Sequence, residues 1–289
     1  MNSGNHVTSI SEALRRGSRM LAEASSEEAT LEAELLVARA LNIDRTHLYQ
    51  RLRDQLTPQA ESAFDALLQR RLAHEPTAYI LGHKEFYGLE FQVTPDAIIP
   101  RPETETLVEL VLECARSASA LEMRIADIGV GCGAIAVALA VTLPEAAIVA
   151  IDISPQALAL ARRNAERHTV ADRIRLREGD LLEPLDMPVD VIVANLPYVR
   201  TVDLEAAPPE INEHEPWLGL DGGPDGLRLI ERLLRDAPPH LKPGGALFAE
   251  IGDQQGEAAR TLAAAAFPQA RIEIRQDLSG LDRVLVVRT

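Results

Sequence analysis

Asn195-Leu196-Pro197-Tyr198 close an apolar run, Asp190-Val191-Ile192-Val193-Ala194. Proline cannot donate to a sheet ladder, so the strand must stop there. In an open α/β sheet, ligands bind just beyond the carboxyl ends of the strands. The set offers an amide, a backbone carbonyl, a rigid turn and an aromatic ring. The Asn195 oxygen and the Leu196 carbonyl can accept the two hydrogens of a planar NH2 group, and the Tyr198 ring can cover its face. Taken alone, the same residues fit equally well a strand end with a kinking proline and a half-buried tyrosine. The rest of the chain decides.

A second constellation lies upstream. Asp127-Ile128-Gly129-Val130-Gly131-Cys132-Gly133-Ala134 follows a strand pattern and opens a helix. Glycines let the backbone approach a ligand, and a helix N-terminus offers free N–H groups. Gly129, Gly131 and Ala134 satisfy the dinucleotide pattern. Asp152 stands where an acidic group would hold ribose hydroxyls. The loop fits either a nicotinamide cofactor or S-adenosylmethionine, and nothing in it requires a pyrophosphate. Asp180-Leu181 follows the next strand; Asp180 can accept from an adenine amino group or cap a turn, and Leu181 can supply backbone or apolar contact. Cys132 has no histidine nearby and reads as a small filler. Arg101, between Pro100 and Pro102, has a tightly set direction. It can anchor a carboxylate, line the site or form a surface ion pair.

These residues need a frame. From Arg124 onward strand and helix patterns alternate, which predicts a doubly wound parallel sheet. Strands are expected at Arg124–Ile128, Ala147–Ile151, Ile174–Arg177, Val189–Ala194 and Ala246–Ile251. Helices are expected at Ala134–Val141, Pro155–Arg167, Leu227–Arg235 and Gln255–Ala265. Two closing strands, about Arg271–Arg275 and Arg283–Val287, are joined by a short loop, which favours an antiparallel pair. Residues 7 to about 74 read as a helical module, with capping boxes at Ser9/Glu12 and Ser25/Glu28 and an N-cap at Thr57-Pro58. A hairpin, Lys84–Tyr87 and Leu89–Val93, leads to a helix starting at about Pro102 or Glu103. The expected division is a helical substrate-docking domain at 1–76, a hairpin linker at 77–100 and a catalytic domain at 101–289.

Composition narrows the class. The chain has 289 residues, 46% of them hydrophobic, enough for a sizeable core. No apolar run has the length of a membrane span, and the N-terminal residues lack a signal-peptide pattern. Two cysteines, Cys114 and Cys132, suggest neither a disulfide framework nor a metal site. The expected compartment is the cytoplasm. A net charge of −15 disfavours non-specific nucleic-acid binding and suits a small molecule or a basic protein partner.

The ordered pattern resembles the PrmC/HemK family of S-adenosylmethionine-dependent N5-glutamine methyltransferases that act on peptide chain release factors. Pro100-Arg101-Pro102-Glu103-Thr104-Glu105, the loop Asp127–Gly133, Asp152 and Asn195–Tyr198 carry the likeness. So do Glu215-Pro216, Gly222-Gly223, Asp225-Gly226-Leu227, Leu241–Gly245, Asp277-Leu278 and Asp282-Arg283. One departure is Leu196, where the family has proline; leucine keeps the carbonyl and loses rigidity. The resemblance implies a Rossmann-like class I methyltransferase sheet with an antiparallel closing strand, behind a helical domain and a hairpin. It implies S-adenosylmethionine contacts from Asp127, Gly129, Val130, Gly131, Cys132, Gly133, Asp152, Asp180, Leu181 and Asn195. Catalysis and substrate contact would fall to Asn195, Leu196, Pro197 and Tyr198, with Arg101 as a further substrate contact. Expected partners are class I release factors, with no direct DNA or membrane partner, and the chain is expected to be a monomer.

An amide nitrogen is a poor nucleophile, and no base strong enough to ionise it is apparent. Alignment with the methyl group must do the work, worth roughly 7–11 kcal/mol in favourable cases. Three alternatives stay open: glutamine methylation of a ribosomal protein, adenine-N6 methylation of RNA or DNA, and a non-catalytic adenosyl- or nucleotide-binding module.

Overall fold

A computed structural model of the chain describes residues 8–118 and 122–289. The chain divides after Gly82 into two compact units. The first is helical: α1 (Ile10–Glu23), α2 (Ala29–Leu41), α3 (Arg45–Gln50), α4 (Pro58–Leu72) and α5 (Thr77–Leu81). Val7, where the helical stretch was expected to open, lies outside the described residues. The capping box at Ser9 forms, with the Glu12 amide donating to the Ser9 hydroxyl and the Ser9 amide donating to Glu12. Thr57 caps α4 with Pro58 in the first turn. The box expected at Ser25/Glu28 does not form. The chain leaves α1 through Ser25 in a left-handed conformation (φ 64°), so Ser25 is not at the cap position, and α2 opens at Ala29 with no side-chain cap. The core gathers Ile10, Leu21, Leu36, Phe64, Leu68 and Ile80. Thr77–Leu81, expected within the linker, is helical and goes with this first unit, since Pro76 starts a helix instead of only ending one.

The second unit opens with a two-stranded hairpin, β1 (His83–Phe86) and β2 (Leu89–Gln92). A 3-10 turn, Pro102–Thr104, then runs into α6 (Glu105–Ala118). Next come β3 (Arg124–Ile128), α7 (Ala134–Thr142), β4 (Ala147–Asp152), α8 (Pro155–Arg167), β5 (Ile174–Glu178) and β6 (Val189–Ala194). Two short helices, α9 (Thr201–Glu205) and α10 (Pro209–Asn212), precede α11 (Arg228–Asp236), β7 (Leu241–Glu250), α12 (Gly256–Ala266), β8 (Arg271–Gln276) and β9 (Asp282–Arg288).

The sheet has seven strands in the order β5-β4-β3-β6-β7-β9-β8. The first five run parallel, and β9 pairs antiparallel with both β7 and β8. This is the expected parallel sheet with an antiparallel close. Side chains alternate between two cores, as the pleat requires. Val191, Val193, Phe248, Val284 and Val286 face one side, with α6 and α7 residues such as Leu107 and Ile135. Ile192, Ala194, Leu247, Ala249, Leu285 and Val287 face the other, with Ile230 and Leu233 of α11 and Ala259 of α12. The buried strands are apolar on both faces because helices cover both. Strand β7 starts at Leu241, five residues before the expected Ala246; the Leu-Lys-Pro-Gly-Gly segment belongs to the strand, with an irregular register against β6. Among the described residues, no helix is long and apolar enough to cross a membrane.

Candidate active site

Register brings the chemistry together. Ile128 of β3 pairs with Ile151 of β4 and with Ala194 of β6, so Gly129, Asp152 and Asn195 leave the sheet side by side. Ala194 also pairs with Ala249, which sets Glu250 beside Asn195. Beta3 lies where the chain order reverses, the place at which open α/β sheets hold ligands. A cavity of about 490 Å³ opens there. Of the residues expected at the site, Gly129, Gly131, Asp152, Asp180, Leu181, Asn195, Leu196 and Pro197 line it. Asp127, Val130, Cys132, Gly133, Tyr198 and Arg101 do not reach its wall.

The glycine loop spends much of its own hydrogen bonding. The Gly129 and Val130 amides donate to the Ile151 carbonyl, Gly133 donates to Val130, and Gly131 donates to the Asp152 carboxylate at 2.9 Å. Gly129 has φ 79°, and a Cβ there would lie 3.0 Å from the Leu196 side chain and 3.2 Å from the Asn195 carbonyl oxygen. The loop and the Asn-Leu turn therefore touch, and only glycine fits between them. Beneath the loop Asp127 is fully buried, and neither carboxylate oxygen has a well-formed hydrogen bond. Burial pushes its pKa up to about 7; the Ala136 amide opposes this, and the Asp152 charge adds to it. Burial pushes the Cys132 thiol up to about 12, so it stays protonated and fills space, as its place in the loop suggested.

Asp152 takes one N–H on each oxygen, Gly131 on one and Ser154 on the other. Each oxygen keeps a lone pair for a further donor. Burial raises its pKa, and the Ser154, Gly131 and Ile153 amides oppose that. Asp180 is partly committed: one oxygen accepts from Arg232 of α11 at 2.8 Å. The other remains as an acceptor.

These donors and acceptors suit an adenosine. Asp152 can take two vicinal hydroxyls, Asp180 an amino group, and Ile153, Leu181 and Leu196 a flat apolar ring. A pyrophosphate fits poorly, because four loop amides are already committed within the chain.

The turn itself is stapled from behind. The Asn195 NH2 donates to the Thr104 hydroxyl at 3.0 Å, which leaves its oxygen for the cavity. Leu196 is buried against the glycine loop. The Tyr198 hydroxyl donates to Glu250 at 2.9 Å, and Tyr198 is not among the residues that line the cavity. Burial and the Glu250 charge raise the Tyr198 pKa. Val199 donates to the Leu220 carbonyl, and Gly222 donates back to Val199. A Cβ on Gly222 would meet the Pro197 carbonyl oxygen at 2.7 Å and the Gly226 carbonyl oxygen at 2.6 Å. The glycines of this later segment thus exist to let the turn pass.

Arg101 does anchor a carboxylate, one from its own chain. It pairs with Glu215, which is buried and also accepts from the Ile99 amide at 3.0 Å. Further wall comes from Asp96–Ile98, Pro216–Gly219, and Arg228 and Leu229 of α11. Sequence reasoning missed this part. Its one signal was Glu215-Pro216, a matched pair to which no role had been given. It also missed Thr104 and Glu250. The signals were a hydroxyl inside the Pro-Arg-Pro-Glu-Thr-Glu segment and an acid closing an apolar strand.

Residues 12–82 match the model of the PrmC N-terminal domain, and residues 104–208 match the methyltransferase small domain. That catalytic fold implies S-adenosylmethionine as cofactor. The methyltransferase from Pyrococcus furiosus superposes with a TM-score of 0.51 at 18% identity, over 76% of this chain and 96% of that one. A 16S ribosomal RNA methyltransferase of Thermus thermophilus superposes with a TM-score of 0.52 at 17% identity, over 72% and 49%. These two likenesses speak for the fold. Sequence relatives say more. The release factor glutamine methyltransferase of Geobacter sulfurreducens is 46% identical over 271 residues, 92% of this chain and 91% of that protein. The protein of the same name from Moorella thermoacetica is 43% identical over 275 residues, 95% and 96%. On this likeness, which runs through both units and the site, the chain belongs to the release factor glutamine methyltransferase family.

Proposed function

We propose that this protein transfers a methyl group from S-adenosylmethionine to the side-chain amide nitrogen of the glutamine in the Gly-Gly-Gln loop of class I release factors. The observation that carries the reading is the Asn195 amide. Its NH2 is spent on Thr104, so an acceptor oxygen faces a cavity beside the glycine loop. With the Leu196 carbonyl it makes a pair of acceptors for an incoming NH2. When bound, S-adenosylmethionine supplies an electrophilic methyl on a sulfonium.

The protein's own residues orient and polarise. Asp152 would hold ribose hydroxyls, and Asp180 with Leu181 would hold adenine. Asn195 and the Leu196 carbonyl would draw the two N–H hydrogens and stabilise the positive charge that develops on nitrogen, a fixed-dipole effect. The proton is released to water afterwards, since no strong base faces the cavity. Glutamate would set a carboxylate against two acceptors and should be rejected. Asparagine is one methylene shorter and should fall out of line.

Mass spectrometry of a class I release factor treated with enzyme and cofactor tests this. The expected product carries one added methyl on that glutamine, absent from the factor with Glu in its place. Asn195→Ala should lower kcat by about 100-fold or more while cofactor affinity, read by calorimetry, changes little. Methyl appearing on RNA, or on other side chains of the factor, would overturn the reading.

A further inference from the structure

Asn195-Leu196-Pro197-Tyr198 offers acceptors to the cavity, yet it forms no hydrogen-bonded turn of its own. Pro197 has no N–H, and Leu196 stands where the family has a rigid proline. Groups outside the segment must therefore set where its carbonyls lie. Thr104 holds the first residue, Asn195. Gln255, the residue before α12, holds the last.

Three of the four hydrogen-bonding positions of the Gln255 amide are used. Its nitrogen donates to the Tyr198 carbonyl at 2.9 Å and to the Asp225 carbonyl at 3.1 Å. Its oxygen accepts from the Gly252 amide at 2.8 Å. These partners fix which end of the amide is which: carbonyl oxygens cannot donate, and an N–H cannot accept. The Gln255 backbone is held too, donating to the Gly252 carbonyl and accepting from Ala259 of α12. One side chain thus joins the Asn195–Tyr198 segment, the 222–226 segment and the loop that leaves β7. Gly226 makes room for it. With φ 77° there, a Cβ would fall on both the Tyr198 carbonyl oxygen and the Gln255 nitrogen.

We propose that Gln255 is a positioning residue, which clamps the far end of the Asn195–Tyr198 segment and so places the Leu196 carbonyl and the Asn195 oxygen for the incoming NH2. Gln255 does not line the cavity and touches no reacting atom. Pro197, with its φ fixed by the ring, passes the position of Tyr198 back to Leu196. The catalytic consequence rests on the glutamine reading; the clamp itself rests on the three hydrogen bonds.

The experiment pairs kinetics with a readout that needs no substrate. At neutral pH Gln255→Glu keeps the length and sets an acceptor against two carbonyls. Gln255→Met keeps the length and loses all three bonds. Each should lower kcat by about 10- to 100-fold, the scale of a small misplacement of reacting groups. KM and calorimetric affinity for S-adenosylhomocysteine should change little, because Asp152 and Asp180 lie beyond other strands. Ala263→Gly, on the buried face of the same helix, weakens α12 without touching the amide and should keep kcat near the wild-type value.

Exchange of side-chain amide protons, followed by NMR, should be slower at Gln255 than at its exposed neighbour Gln254. The Tyr198 carbonyl carbon resonance should move upfield in Gln255→Met and stay in place in Ala263→Gly. Equal exchange at the two glutamines, wild-type kcat in both Gln255 variants, or equal loss of kcat in Ala263→Gly would overturn the proposal. A wild-type enzyme that fails to methylate the factor, with Gln255 protected and the Tyr198 carbonyl responding, would remove the glutamine reading and leave the clamp standing.

Discussion

Three carboxyl groups near the cavity have their pKa raised by desolvation, and each is treated differently. Asp152 receives backbone N–H groups and faces the ligand space. Glu250 receives a tyrosine hydroxyl on one oxygen. Asp127 receives no well-formed hydrogen bond and sits at 0% exposure. Its pKa is pushed from 3.8 to about 7 by burial. Between those pH values the folded chain holds a proton that the unfolded chain releases. The stability tied to this group is therefore largest at acid pH, falls as pH rises from about 4 to 7, and stays low above that. Asparagine in its place cannot ionise. From pH 4 to pH 8 the wild type should lose roughly 4 kcal/mol relative to Asp127→Asn, three pKa units at about 1.4 kcal/mol each. Urea unfolding of both proteins at several pH values reads the difference directly. A difference flat with pH would mean that the carboxyl is not held protonated.

At the scale of elements, the site is a meeting of strand ends pinned by segments far away in sequence. Gly222 lies where a Cβ would come within 2.8 Å of the Gly226 backbone as well as the two carbonyl oxygens that it meets. Gly222→Ala must push the Asn-Leu-Pro-Tyr turn or the 222–226 segment aside. It should cost about 1–3 kcal/mol, as overpacking does, and lower kcat, because the turn carries Asn195. Gly280→Ala in the β8–β9 turn meets nothing within 4 Å and is the comparison. Its φ of 79° is strained for alanine, so it should cost about 1–2 kcal/mol from backbone strain alone, with activity unchanged. Thermal unfolding and turnover of both variants decide; full activity in Gly222→Ala would contradict the cradle.

The same contrast explains what could be read in advance. Strands and helices of the sheet were legible from alternation and caps, and the cavity followed from strand ends. Pairings across the chain were not. Asp180 with Arg232, Arg101 with Glu215 and Asn195 with Thr104 join residues 52, 114 and 91 positions apart. No local period encodes such pairs. The Ser25 box failed for the opposite reason: the local pattern was present, and the turn leaving α1 overrode it.

For the whole molecule, the two units have different kinds of surface to offer. The catalytic unit carries the cavity, lined by residues between Asp96 and Arg232, while the helical unit matches the PrmC N-terminal domain. Burying its own core of Phe64, Leu36 and Leu68 uses the apolar faces of its helices, which leaves the polar faces for recognition. We propose that it docks the body of the release factor while the glutamine loop enters the cavity. A net charge of −15 on the full chain would favour encounter with a basic partner surface, and salt should weaken that step. Docking remote from the reacting group lowers KM for the whole factor and does nothing for a short peptide. A chain beginning at His83, checked for folding by circular dichroism, should therefore show a KM for intact factor raised by about tenfold or more, one hot-spot patch being worth at least 1.4 kcal/mol. Its kcat/KM on a Gly-Gly-Gln peptide should stay within about threefold of the full chain, a change of under 1 kcal/mol. Raising the salt should increase KM for intact factor with the full chain more than with the truncated one. Equal loss on peptide and factor would assign the helical unit to stability of the catalytic unit instead of docking.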